Sequence, residues 1–466
     1  MSANKTLGET SLPKLLFKFS MPCIIGLLIG AIYNIIDQIF IGNSSLGYLG
    51  NAATGISFPV ICIANAIAWS IGDAAAAYVS ICSGMNDSEH AHKCVGTGLT
   101  ISFILSIILT FISIAFCEPL MTAFGASGKT LNLACDYFKI IAFFFPVYLL
   151  LNIFSSVLRG DGSPSHSMVG LLVGAIINII LDPIFIFALD WGIKGAAYAT
   201  VIGQVITLII FVHYFRHTRT FKLHLSSLKV DFSMVKRIIQ LGGSTFIIQI
   251  SMVVMTLLCN ITLAKYGGLS KYGSDIPLSV FSIQTKVYTI INNIVVGIAL
   301  GGQPILGYNL GAGRLDRVRK LYFYILGASM VVGVGATLAF ELCPQLLIGM
   351  FGSGSDLYME FAVKSFRIFL GLSFITCFIK MSSIFFQALG ESLCAMIASV
   401  IRDLFCFTVF TISFCHIFEK LEPGHGIYGI LFASPMSDLI AGSVILVLTV
   451  RFLKKLGRKN QQKEGN

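Results

Sequence analysis

Asn178 and Asp182 stand four residues apart inside the apolar run "GAIINIILDPIFIF", and Pro183 follows directly. An acid at the middle of a bilayer costs about 2.5–3.5 kcal/mol on insertion scales, while each surrounding Leu, Ile, Phe or Val returns roughly 0.3–0.6 kcal/mol. The run still inserts, but an acid without a task at that depth is uncommon. Spacing of i,i+4 puts both side chains on one helix face, a turn apart. Pro183 has no N–H, so the carbonyl of Ile179 loses its helical partner. A carboxylate, an amide oxygen and a freed carbonyl then fall within one turn. All are hard oxygen donors, the kind that broken helices lining a cavity offer to ions.

A second acid, Asp37, lies in "CIIGLLIGAIYNIIDQIFIG", with Tyr33 one turn before it and Pro22 about four turns before it. A proline in mid-span is a candidate bend, so an acid on a bendable helix fits an ion site shared with Asn178 and Asp182. The competing reading is capping or pairing with a base, and the first half of the chain has no Lys or Arg in mid-span. Asp73, in "WSIGDAAAAYVS", either draws cationic substrate or pairs with a base such as Lys286. Gln249, Met252 and Met255 are candidate substrate contacts, because thioethers adapt to varied ligands; ordinary packing is the plainer reading of the two methionines. Lys286, Lys380, Arg402, Asp403 and Asp438 read as structural charges, Arg402 and Asp403 compensating each other. His90, His92 and Cys94 look like metal ligands on paper, yet a short solvated loop without a fourth ligand is the expectation.

These residues need apolar helices to carry them. The chain is 56 % hydrophobic and 12 % charged, with a mean hydropathy of +0.85, so its surface cannot meet mainly water. About twelve apolar runs of roughly 20 residues or more can each cross ~30 Å of hydrocarbon as a helix. They centre on 15–41, 52–82, 94–117, 137–158, 166–189, 195–215, 238–264, 278–308, 319–341, 361–388, 394–418 and 427–452. The period-two segments of an outer-membrane barrel are missing, and the expected fold is an all-α integral membrane protein with twelve transmembrane helices.

A shift of 227 residues pairs "SGMNDSEHAHK", ending at Lys93, with "GAGRLDRVRK", ending at Lys320, and "FG" at Phe124 with "FG" at Phe351. "SS" at Ser155 meets "SS" at Ser382 in the same frame, and "WGIKGAAYAT" at Trp191 echoes "HGIYGILFAS" at His425. Two six-helix lobes of equal orientation around a central cleft follow from such parallel repeats. The expected organisation is an N-terminal lobe over 1–212, a basic cytoplasmic linker over 213–237, a C-terminal lobe over 238–452 and a basic tail over 453–466.

The net charge of +10 does not imply a nucleic-acid partner, because the bases gather in alternate loops, as membrane orientation requires. Arg216, Arg219, Lys222, Lys229, Lys236 and Arg237 form one cluster, Arg314, Arg317, Arg319 and Lys320 a second, and Arg451, Lys454, Lys455, Arg458 and Lys459 a third. Their side should be the cytoplasm, with both termini there. No cleaved signal peptide is read at the N-terminus, and the scattered cysteines, with no C-x-x-C pair, argue for neither zinc nor disulfides. There is no Walker-type phosphate loop, so uphill transport would draw on an ion gradient or a partner chain, and no cofactor is expected.

The combination of two six-span halves with "LRGDGSPSHSM" (158–168), "NIILDPIF" (178–185) and "WGIKGAAYATVIGQ" (191–204) resembles the multidrug and toxic compound extrusion (MATE) transporters over nearly the whole chain. The resemblance implies efflux of amphipathic, often cationic drugs, driven by Na⁺ or H⁺ through rocking of two lobes. In the branch with the coupling ion in the N-terminal lobe, it assigns the cation site to Asp37, Asn178, Asp182 and Thr200, and helix bending to Pro22 and Tyr33. The glutamate that another bacterial branch carries in span seven has no counterpart here, where only Gln249 and Asn260 are polar. The resemblance also implies a prokaryotic plasma membrane; a monomer acting on small molecules, and not an enzyme, is the expectation. A lipid-linked oligosaccharide flippase of the same superfamily is the alternative, and would call for a cationic cleft. A membrane-embedded transferase would need an acidic metal cluster at a loop, which the sequence lacks.

Overall fold

Helices supply every regular element of the chain that the structure, a computed structural model, describes: all residues except 1–6, 45, 127, 129, 216, 217, 219, 223–227, 351–354, 465 and 466. Arg216, Arg219 and Phe351 of the sequence reading therefore lie outside the described residues. In the first half the order is α1 (Leu12–Asn43), α2 (Tyr48–Met85), α3 (Ser88–Ala115), α4 (Cys117–Ala123), α5 (Leu131–Phe143), α6 (Phe145–Gly160), α7 (Pro164–Pro183) and α8 (Gly192–Phe215). The rest is α9 (Phe232–Leu269), α10 (Asp275–Gly311), α11 (Leu315–Leu342), α12 (Pro344–Gly349), α13 (Asp356–Phe369), α14 (Ser373–Ala388), α15 (Ser392–Ser399), α16 (Phe407–Leu421) and α17 (Gly426–Glu464). π-helical turns occupy Ile184–Ala188, directly after α7, and Val400–Cys406, between α15 and α16.

Among the described residues, 10 helical segments are long and apolar enough to cross a membrane, and 12 if each of two bent pairs is one span. The expected all-α membrane fold is present. The bends were not expected, since 137–158 and 361–388 read as single runs. α5 and α6 meet at 54°, α13 and α14 at 48°. Pro146, at the start of α6, cannot donate to the carbonyl of Ala142. Thr110 Oγ1 of α3 donates to that carbonyl instead, at 2.9 Å. In the second pair Gly371 sits in the turn, where an added Cβ would come within 2.4 Å of the Arg367 carbonyl. The histidines also differ from expectation: His90, His92 and Cys94 lie in the opening turns of α3 rather than in a loop. Asp87 caps that helix, accepting from the His90 amide at 3.1 Å.

The chain divides into two compact units. The first comprises Met1–Gln249, Leu300–Arg314 and Ala388–Gly390, the second Ile250–Ala299, Leu315–Gln387 and Glu391–Asn466. In lipid, helices gain little by hiding apolar surface, so close packing of small residues does the joining. In the first unit Ala74, Ala75, Ala76 and Ala77 of α2 are fully buried. A Cβ on Gly160 of α6 would stand 2.5 Å from the Ala76 carbonyl, a contact only glycine permits. The outer face of α3 is the reverse, with Phe103, Ile107, Ile108 and Phe111 all exposed, as a face turned to acyl chains should be. The second unit has a phenylalanine-rich core in which Phe340, Phe361, Phe366 and Phe407 are buried.

Candidate functional site

The site residues converge because α7 is gripped on two sides. Gly26 of α1 fits over Leu171, where an added Cβ would stand 3.5 Å from that side chain. On the other side α8 comes so near that a Cβ on Gly203 would lie 2.7 Å from the Gly174 carbonyl and 3.4 Å from Asn178 Cβ. Thr207 Oγ1 fastens this seam by reaching the carbonyls of Gly203 at 2.9 Å and Gly170 at 3.2 Å.

That packing brings four of the expected residues together. Asp37 of α1 and Asp182 of α7 lie within hydrogen-bonding reach of each other. Asn178 Nδ2 donates to Asp182 Oδ1 at 3.3 Å and approaches Thr200 Oγ1 of α8 at 3.5 Å. Asp182 is 0 % exposed, Asn178 2 % and Asp37 8 %. Asp37 Oδ1, Asn178 Oδ1 and Asp182 Oδ2 are buried without a hydrogen-bond partner. A buried unsatisfied polar group costs about 1–3 kcal/mol, more when charged, and among the described residues neither carboxylate takes part in an ion pair. Three unpaired oxygens and a hydroxyl on one spot suit a hard cation or a shared proton. Pro183 ends α7 next to this cluster, and the helix widens at once into the π-turn.

Tyr33 and Tyr137 both lie in the field of the two carboxylates. Tyr33 was expected from its place one turn before Asp37; Tyr137, buried in α5, carried no sequence signal. Pro22 is inside α1, which continues across it without a break.

Asp73 is not part of this cluster. Arg159 Nη2 of α6 donates to Asp73 Oδ1 at 3.4 Å and to Ser156 Oγ at 2.8 Å, while Nη1 donates to Ser155 Oγ at 3.0 Å. Of the two readings of Asp73, drawing cationic substrate or pairing with a base, the pairing is present, with Arg159 in place of Lys286, which is exposed. Asp73 and Arg159 are 86 residues apart, so no local spacing could announce the pair. Met252 is exposed and Met255 partly buried against the second unit's core, while Gln249 is half-buried.

In the second unit four of the five charges expected inside the spans, all but Lys286, form one cluster. Arg402 Nε donates to Asp438 Oδ1 at 2.6 Å, and Arg402 Nη1 lies 2.5 Å from Asp403 Oδ1. Lys380 Nζ is 3.7 Å from Asp403 Oδ2, and Thr376 Oγ1 donates to Asp438 Oδ2 at 2.9 Å. The sequence paired Arg402 with Asp403 alone; Lys380 and Asp438 complete a set of two cations and two anions. Among the described residues no group of three or more His, Cys, Asp or Glu could hold a metal ion.

The fold and these buried acids define a multi-pass, all-helical membrane protein with ionisable groups held inside its spans. The chain belongs to the MatE family, whose model matches residues 22–184 and 245–415, and this is a family of transporters rather than enzymes. It is similar to the multidrug export protein MepA of Staphylococcus haemolyticus (strain JCSC1435), at 28 % identity over 330 residues covering 71 % of each chain. MepA of Staphylococcus aureus (strain MSSA476) is 27 % identical over 347 residues, 74 % of each. In fold it matches the outward-facing conformation of a multidrug resistance MATE family transporter of the MOP superfamily, with a TM-score of 0.88, 22 % identity, and coverage of 98 % of this chain and 99 % of that one.

Proposed function

We propose that the chain is an antiporter, coupled to Na⁺ or H⁺, that exports amphipathic, often cationic small molecules by alternating access, as a monomer in a prokaryotic plasma membrane with both termini in the cytoplasm. The observation that carries this reading is the cluster of buried Asp37, Asn178 and Asp182 with half-buried Thr200, in which three acceptor oxygens have no hydrogen-bond partner among the described residues. It supports the branch of the family that binds its coupling ion in the N-terminal lobe. The relatives named as multidrug export proteins support the substrate class.

Asp37 and Asp182 come from different helices, so a cation or proton that both carboxylates hold ties α1 to α7. Its departure leaves two like charges within hydrogen-bonding reach, which drives the helices apart. Pro22 gives α1 a place to bend in response. One charge moving down ~100 mV supplies about 2.3 kcal/mol, and a tenfold ion gradient about 1.4 kcal/mol more. Together these support a concentration gradient of several hundredfold for a neutral substrate. A flippase for lipid-linked diphosphates would call for several free bases along the spans; in the first unit Arg159 is engaged by Asp73 and two serines.

The test is ethidium efflux from cells lacking their own pumps, comparing the native chain with Asp182→Asn under separately imposed Na⁺ and H⁺ gradients. Efflux by the native chain and none by the variant is expected, and the effective gradient names the ion. Equal efflux by both would remove Asp182 from the coupling site.

A further inference from the structure

At one end of the second unit, the start of α11 and the far end of α17 enclose an open groove of about 400 Å³, lined by Arg319, Val450, Leu453, Lys454, Gly457 and Arg458. Three of these six are cations, and among the described residues no carboxylate lines the groove. Arg319, Lys454 and Arg458 take part in no ion pair among the described residues.

Both helices change character along the face that borders the groove. On α17, Leu446, Val450, Lys454 and Arg458 follow one another at i,i+4, so they form one row along the helix. Leu446 is 55 % exposed and Val450 42 %; the two bases beyond them are exposed as well. On α11, Arg319 is followed one turn on by Phe323, 52 % exposed. Each row therefore passes from open apolar side chains to open cations at the same level. Such a surface matches a molecule with an anionic head and hydrocarbon tails. Basic pockets between span ends are known to take acidic lipid headgroups, each Lys or Arg near the surface adding about a factor of five in binding.

We propose that this groove holds an anionic phospholipid of the leaflet on the basic side, its phosphate between Arg319, Lys454 and Arg458 and its chains along Phe323, Leu446 and Val450. The lipid would staple α11 to α17, two helices far apart in the chain, and so bear on how the second unit is held together.

The probe is phosphatidylglycerol against phosphatidylcholine of identical chains, added to the detergent-purified full chain and read by native mass spectrometry. The native chain should retain phosphatidylglycerol selectively. Arg319→Gln, Lys454→Gln and Arg458→Gln combined should lower that selectivity on the order of 100-fold, at about fivefold per cation. Lys320, Arg451 and Lys455 are exposed and do not line the groove, so neutralising those three removes equal charge and should leave selectivity unchanged. All six positions are on the surface, and gel filtration checks that both variants stay folded. Equal losses in the two triple variants would mean diffuse surface attraction and overturn the proposal, as would undiminished selectivity in the groove variant. Displacement of the lipid by an equal concentration of glycerol phosphate would also overturn it, by assigning the groove to free phosphates.

Discussion

Replacing Arg402 with Met should be among the most damaging single changes in the second unit. Its guanidinium joins Asp438 at 2.6 Å and Asp403 at 2.5 Å, and both carboxylates are 1 % exposed. With Lys380 the cluster is neutral, two cations against two anions. Without Arg402 it holds a net negative charge, and Lys380 is 3.7 Å from only one of the two acids. Removing one partner from a buried ion pair costs about 3–5 kcal/mol, because the charge left behind has no solvent. The loss corresponds to a fall in melting temperature on the order of 10 °C. Asp438→Asn added to Arg402→Met restores neutrality and keeps a polar group beside Thr376. The double variant should recover roughly 2 kcal/mol or more relative to the sum of the single changes. The assay is heating of the detergent-solubilised chain followed by gel filtration of what remains folded. A single variant melting within about 2 °C of native, or strictly additive losses in the double, would refute the idea that these charges form one coupled unit.

Two further outcomes follow from the geometry. Gly203→Ala should destabilise the first unit by about 1–3 kcal/mol and weaken gradient-driven efflux, because the new methyl would meet the Gly174 carbonyl at 2.7 Å and press on Asn178; thermal stability and efflux measured on the same preparation check both. Asp87→Ala should cost about 0.5–2 kcal/mol near neutral pH through loss of the α3 cap. The His90 amide and ring hold the Asp87 carboxyl below its ordinary value, so this stabilisation is present above the unfolded-state pKa and fades as pH falls through the lower folded value. Native and variant should converge in strongly acidic buffer, and a gap constant with pH would count against the cap.

The spans were legible because hydrocarbon demands long apolar runs, which hydropathy detects directly. Asn178 and Asp182 were legible for a different reason: i,i+4 spacing fixes a shared helix face before any tertiary structure is known. Bringing Asp37 to Asp182 rested on the scarcity of unpaired acids in membranes, a cost argument rather than a geometric one. What could not be read was pairing at long range. Arg159 meets Asp73, and Lys380 and Asp438 join Arg402 and Asp403, through helix packing that no spacing encodes. The bend between α5 and α6 was hidden likewise, although Pro146 was visible, because its tolerance depends on Thr110 taking up the carbonyl of Ala142. Tyr137 has an ordinary place in an apolar run, and only the fold brings it into the field of the two acids.

The most direct test of the account separates ion coupling from substrate passage. Purified native chain, Asp37→Asn and Asp182→Asn would be reconstituted into liposomes and measured twice, for ethidium transport driven by an imposed Na⁺ or H⁺ gradient and for exchange of labelled against unlabelled substrate with no gradient. The cluster as coupling site predicts that both variants lose gradient-driven transport while exchange persists. Gradient-driven transport at native rates in either variant would contradict it.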